Sequence, residues 1–89
     1  MTAEKPVIVW TKPACTECDK TKAHLEREHI PFKAKDITAP EHADDLKRLM
    51  DLGFRGAPVV EYGELRFAGN YFFGQVQTLV KQWATDHLR

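Results

Sequence analysis

Two cysteines are all this 89-residue chain has. That is too few for the disulfide framework of a small secreted domain, and a reducing compartment disfavours a static bridge between them. An excess of charge of one sign is missing too. Thirteen lysines and arginines face thirteen acids, so no net field draws the chain to nucleic acid or an anionic membrane, and neither is expected as a partner. Fully apolar runs are only a few residues long, which excludes a transmembrane helix. The opening stretch MTAEKPVIVW is too short and too acidic for a secretory signal. Repeats, linkers and low-complexity segments are absent, and so is a glycine-rich nucleotide fingerprint, so no cofactor is expected. What remains is one domain over residues 1–89, cytoplasmic and monomeric by expectation. Its 43% of apolar residues suffice for one modest core.

The order of elements can be read from periodicity. Val7 to Trp10 is apolar throughout, as in a strand buried on both faces. A helix is expected from Thr16 to about His29, with a thin apolar face of Cys18, Thr21 or Lys22, and Leu25. Ile30, Phe32 and Ala34 alternate with Pro31, Lys33 and Lys35, which predicts a strand with one wet face. Thr38 to Glu41 has capping-box spacing, with Pro40 in the first turn. Leu46, Leu49 and Met50 line the next helix, and Gly53 reads as the residue just past its end. Val59 to Tyr62 and Leu65 to Ala68 form a hairpin turning at Gly63 and Glu64. Asn70 is placed to cap a last helix with the stripe Phe72, Val76, Leu79, Val80 and Trp83. The order β-α-β-α-β-β-α predicts an α/β fold. Its first two strands run parallel through a right-handed crossover, and its last two form an antiparallel hairpin.

Both cysteines lie in VWTKPACTECDK, where the first strand ends and the first helix begins. A helix N-terminus presents unpaired N–H groups and the positive end of the macrodipole. A thiolate at Cys15 is stabilised there, which makes Cys15 the expected nucleophile. Cys18, one turn deeper, can reach the same sulfur and release a mixed disulfide formed at Cys15. Lys12 and Lys20 add positive charge nearby, while Glu17 and Asp19 oppose it. Glu17 either weakens the hold on the thiolate or is simply a solvated first-turn acid. Two rival readings stand beside redox exchange. A zinc site needs four ligands, but a second Cys-x-x-Cys or a spaced histidine pair is missing, and His24, His29, His42 and His87 are scattered, so no metal is expected. Cysteines that merely pack the core are the other alternative, against which the placement at a helix start argues.

The segments WTKPACTEC and DLGFRGAPVVEYG together resemble the glutaredoxin-like branch of the thioredoxin superfamily, in particular NrdH-type redoxins, small electron donors of ribonucleotide reductase. The resemblance runs from Val7 to about Gly69. It implies a thioredoxin fold, a four-stranded mixed sheet flanked by three helices, with Cys15 attacking and Cys18 resolving. It implies that Pro58 is held in cis, leaving the backbone of Ala57 to pair with an extended substrate strand. Lys12 matches a lysine that holds a glutathione carboxylate in glutaredoxins, and Gly69 falls in the family's substrate-binding segment. Thr16 and Glu17 stand where glutathione-using relatives carry an aromatic residue, and Asn70 and Tyr71 follow the glycine in place of an acid. The segment FAGNYFFG departs from the W-S-G-F-R-P-like stretch of NrdH-type redoxins. The resemblance therefore implies a dithiol carrier that reduces a protein disulfide, most plausibly in ribonucleotide reductase, and is re-reduced by thioredoxin reductase. The alternatives are a glutathione-dependent glutaredoxin and a non-catalytic interaction module using Phe67, Tyr71, Phe72 and Phe73 as a sticky face.

Overall fold

The computed structural model describes residues 6–68 and 73–87. The elements follow in the order β1 (Val7–Thr11), α1 (Thr16–Arg27), β2 (Lys33–Asp36), a single 3₁₀ turn (Pro40–His42), α2 (Ala43–Asp51), β3 (Val59–Tyr62), β4 (Leu65–Ala68) and α3 (Phe73–His87). The four strands form one mixed sheet in the order β2-β1-β3-β4. β1 runs parallel to β2 and antiparallel to β3, and β3 pairs antiparallel with β4. This is the thioredoxin fold that the sequence predicts.

Alternation along the strands divides the core in two. Val7, Val9, Val60, Tyr62 and Phe67 face Leu25 of α1 and Val76 and Leu79 of α3. Trp10 and Val59 point the other way, toward Leu49 of α2, with Ile37, Ile8 and Phe54 around them. The thin apolar face of α1 resolves to Cys18, Thr21, His24 and Leu25, so Thr21 rather than Lys22 is buried and His24 joins it. At the far end of the chain the Tyr62 hydroxyl donates to Asp86, tying α3 to the middle of the sheet.

Both of the first two helices end in a Schellman motif. After α2, the Gly53 N–H reaches the Met50 carbonyl at 2.9 Å and the Phe54 N–H reaches that of Leu49 at 3.0 Å. Gly53 sits at φ 100°, which its missing Cβ permits. After α1 the same two bonds run from His29 to Glu26 and from Ile30 to Leu25, at 3.0 and 2.9 Å. There a histidine takes the left-handed position, at φ 60°. Ile30 is thus part of the helix cap and packs beside Leu25.

Three local expectations need correction. β2 starts at Lys33 instead of Ile30, and although Ile30 is buried and Phe32 half-buried, Ala34 is exposed because β2 is an outer strand of the sheet. The Thr38 capping box does not form. Both the N–H and the hydroxyl of Thr38 donate to the Asp36 carboxylate, holding its pKa below the ordinary aspartate value, and the chain enters α2 through the 3₁₀ turn. Finally, only Leu49 of the apolar α2 residues is buried, while Leu46 is 38% and Met50 60% exposed. The expected caps and stripe residues Asn70 and Phe72 lie outside the described residues.

Candidate active site

β1, an interior strand, carries the chain to one end of the sheet, and Lys12, Pro13 and Ala14 turn it into α1. Ala14 makes that turn in the left-handed region, at φ 55°, a conformation that strains a residue with a Cβ by about 1 kcal/mol or more. The turn delivers Cys15 as the N-cap of α1, with extended backbone angles. Its sulfur takes the place of a capping oxygen and accepts from the Cys18 N–H at 3.1 Å. Free helix-start N–H groups and the helix dipole both favour negative charge at that sulfur.

Cys15 and Cys18 are joined in a disulfide, with Cα atoms 5.2 Å apart. Their environments differ. Cys15 is partly open to solvent, whereas Cys18 is 1% exposed beneath it. A partner sulfur can therefore approach Cys15 and not Cys18.

The second wall of the site comes from the loop before β3. The Ala57–Pro58 peptide bond is cis, and the Ala57 carbonyl oxygen lies 4.0 Å from the Cys15 sulfur. Pro58 is fully buried and Ala57 partly exposed. The structure thus brings together Cys15, Cys18, Ala57 and Pro58. Lys12 is exposed at the start of the loop and has no ion-pair partner among the described residues. Glu17 turns to Lys20 at 3.5 Å, and Asp19 to Lys22 at 3.6 Å, both as solvent-facing pairs. Gly69 lies outside the described residues.

The glutaredoxin family model matches residues 7–66. The chain belongs to the glutaredoxin family. It is 30% identical over 63 residues to the glutaredoxin-like protein NrdH of Lactococcus lactis subsp. cremoris, covering 71% of this chain and 85% of the relative. It is also 32% identical over 68 residues to the N-acetyl-S-hydroxy-L-cysteine reductase of Bacillus subtilis, covering 76% of this chain and 68% of that protein. The fold superposes on the NrdH-redoxin of Escherichia coli with a TM-score of 0.67 at 22% identity, over 86% of this chain and 92% of that one. A glutaredoxin-family domain with its Cys-x-x-Cys pair at the head of the first helix is a thiol–disulfide redox carrier of the glutaredoxin-like, NrdH type.

The sticky-face alternative loses one of its residues. Phe67 is 3% exposed and belongs to the core, because its register opposite Val60 turns it inward. Tyr71, Phe72 and the side chain of Phe73 lie outside the described residues.

Sequence reasoning missed a charged lock behind the site. Glu61, at 9% exposure, accepts from the indole N–H of Trp10 at 2.8 Å, from Arg48 of α2 at 2.7 and 3.1 Å, and from Arg66 of β4 at 2.6 Å. Arg48 also donates to Asp45 at 3.0 Å. Burial pushes the Glu61 carboxyl up, but the bonds from Arg48, Trp10 and Arg66 outweigh it and bring the pKa down to about 2. The signal was available as a lone acid in the otherwise apolar run PVVEY. Its partners sit on three other elements, and no local pattern connects them.

Proposed function

We propose that this redoxin transfers two electrons to a protein disulfide, most plausibly in ribonucleotide reductase, and is re-reduced by thioredoxin reductase. The observation that carries the reading is the asymmetry of the pair: an accessible Cys15 capped at a helix start above a buried Cys18. The Cys15 thiolate attacks one sulfur of the substrate disulfide, forming a mixed disulfide and expelling the first substrate thiolate. Cys18, deprotonated, then attacks the Cys15 sulfur, expelling the second thiolate and leaving Cys15–Cys18 oxidised. Two protons pass from the cysteines to the two released thiolates, so the substrate ends as a dithiol. Beside the reacting sulfur, the exposed edge of Ala57 pairs with an extended stretch of substrate backbone.

The choice of reductant rests on what surrounds Cys15. Glutathione carries two carboxylates, and Lys12 is the only residue of the expected glutathione-binding set that is present, with Glu17 close by. Losing two charge-assisted contacts, each worth about 1.5–3 kcal/mol, weakens such a ligand roughly a hundredfold or more. NADPH consumption with thioredoxin reductase is therefore expected to be fast, and with glutathione and glutathione reductase slow. Faster turnover through glutathione would move the protein to the glutathione-dependent glutaredoxins. The likeness to the Bacillus subtilis reductase supports a second reading, reduction of a small S-hydroxy thiol. In that case Cys15 attacks the sulfenyl sulfur and the hydroxyl leaves as water.

A further inference from the structure

We propose that His24 is the proton acceptor for Cys18 in the second half of the exchange, reached through the Thr21 hydroxyl. The inference rests on the redox reading above and supplies a step within it. Cys18 has to lose its proton before it can attack Cys15, yet it is 1% exposed. A thiol buried in apolar surroundings resists ionisation, and bulk water is not at hand to take the proton. Apart from the aromatic Trp10 and Tyr62, the buried polar side chains among the described residues are Thr21, His24 and Glu61. Glu61 faces Arg48 of α2, on the other side of the sheet from α1. With its pKa at about 2, it is far too weak a base to take a thiol proton. Thr21 and His24 remain.

Both lie on the buried face of α1 that carries Cys18, three and six residues further along. Neighbours in such a row are about 4.5 Å apart along the helix axis. Helical side chains lean toward the N-terminus, which carries the Thr21 hydroxyl toward the sulfur and the His24 ring toward the hydroxyl. At its far end the row meets solvent. His24 Nε2 lies 3.9 Å from the Glu28 carboxylate, Glu28 is exposed, and the Gln77 amide of α3 reaches the same carboxylate oxygen at 3.4 Å. That neighbour favours hydrogen on Nε2 and leaves Nδ1 as the acceptor. The other charged groups one turn away on α1, Lys20 and Arg27, are exposed, and Lys20 pairs with Glu17. From β1 and β3 come Val7, Val9, Val60 and Tyr62, whose hydroxyl donates to Asp86, and from α3 come Val76 and Leu79. In the transfer, Thr21 accepts the Cys18 proton as it passes its own to His24 Nδ1, leaving a Cys18 thiolate and an imidazolium beside Glu28. The thiolate attacks the Cys15 sulfur. The Cys15–Cys18 bond forms, the bond from Cys15 to the substrate sulfur breaks, and the electron pair leaves on the substrate thiolate. That thiolate takes a proton from water, and His24 returns one to water past Glu28.

Stopped-flow mixing of the reduced protein with dithiobis-nitrobenzoate separates the two halves of the exchange. Attack by Cys15 releases the first thionitrobenzoate at a rate proportional to the reagent. Attack by Cys18 releases the second at a rate independent of it. His24→Gln keeps a polar side chain of similar reach that cannot take up a proton. At neutral pH it should slow the second release about tenfold or more and leave the first within about twofold. The second rate in the wild type should rise across about pH 5–8, where a histidine side chain loses its charge, and His24→Gln should lack that limb. Thr21→Val should cause the same selective loss, and Thr21→Ser should restore the rate. An unchanged second release in His24→Gln, equal slowing of both releases, or a normal second release in Thr21→Val overturns the proposal. Release of neither thionitrobenzoate by the wild type would instead overturn the redox reading itself.

Discussion

On the α1 and α3 side of the sheet the strands present Val7, Val9, Val60, Tyr62 and Phe67 to two helices. On the α2 side they present Trp10 and Val59 together with Glu61 and Arg66. The first face is sealed by apolar contact, which is strong and has no direction. The second receives one buried leucine from its helix and is held by directed bonds from Arg48, Arg66 and Trp10 to a single carboxylate. Such bonds fix where α2 and the indole sit without covering them. Leu46 and Met50 of α2 are then left at the surface, lining a groove with Ala57. One face supplies most of the stability, and the other keeps an open apolar surface next to the chemistry.

The comparison breaks most visibly on the sealed face. Leu25 is fully buried in its cluster, and Leu25→Ala should lower unfolding free energy by about 2–5 kcal/mol in urea titrations. A loss under about 1 kcal/mol would mean that this face is not the main source of stability.

The locked face should reveal itself through pH. Glu61 in the folded protein titrates at about 2 against an ordinary value of 4.5. Between those two pH values the unfolded chain binds a proton that the folded chain does not, so stability falls as pH falls through that window. The loss is on the order of 2 kcal/mol once partial solvent screening of the arginines is allowed for. Glu61→Gln should flatten this part of the profile. Parallel wild-type and variant profiles would mean that the lock contributes nothing.

How much of this could be read from the chain follows the same division. The sealed face was legible because short apolar runs mark β1 and β3 and a period-3.6 stripe marks α3, and Val7, Val9, Val60, Val76 and Leu79 all lie within them. The cysteine pair was legible because three residues on a helix start fix its geometry locally. The locked face was not, since Glu61 is recognised only through residues brought by β1, α2 and β4. The same blind spot made Leu46 and Met50 look like core. Helical spacing tells which residues share a face, and not whether the sheet beneath offers apolar surface to meet them.

Met50 sharpens the comparison from its weak end. At 60% exposure, Met50→Gln should change unfolding free energy by no more than about 0.5 kcal/mol. A loss comparable to that of Leu25→Ala would show that α2 is sealed like the other helices.

The most direct measurement is capture of a disulfide partner by single-cysteine variants, read on a non-reducing gel with mass spectrometry of the adduct. Cys18→Ser keeps the accessible sulfur and loses the buried one, so it should accumulate a mixed disulfide through Cys15. Cys15→Ser leaves only a sulfur that is 1% exposed and should capture nothing. Accumulation through Cys18 in the Cys15 variant, with none through Cys15 in the other, would reverse the roles of the two cysteines and contradict the mechanism.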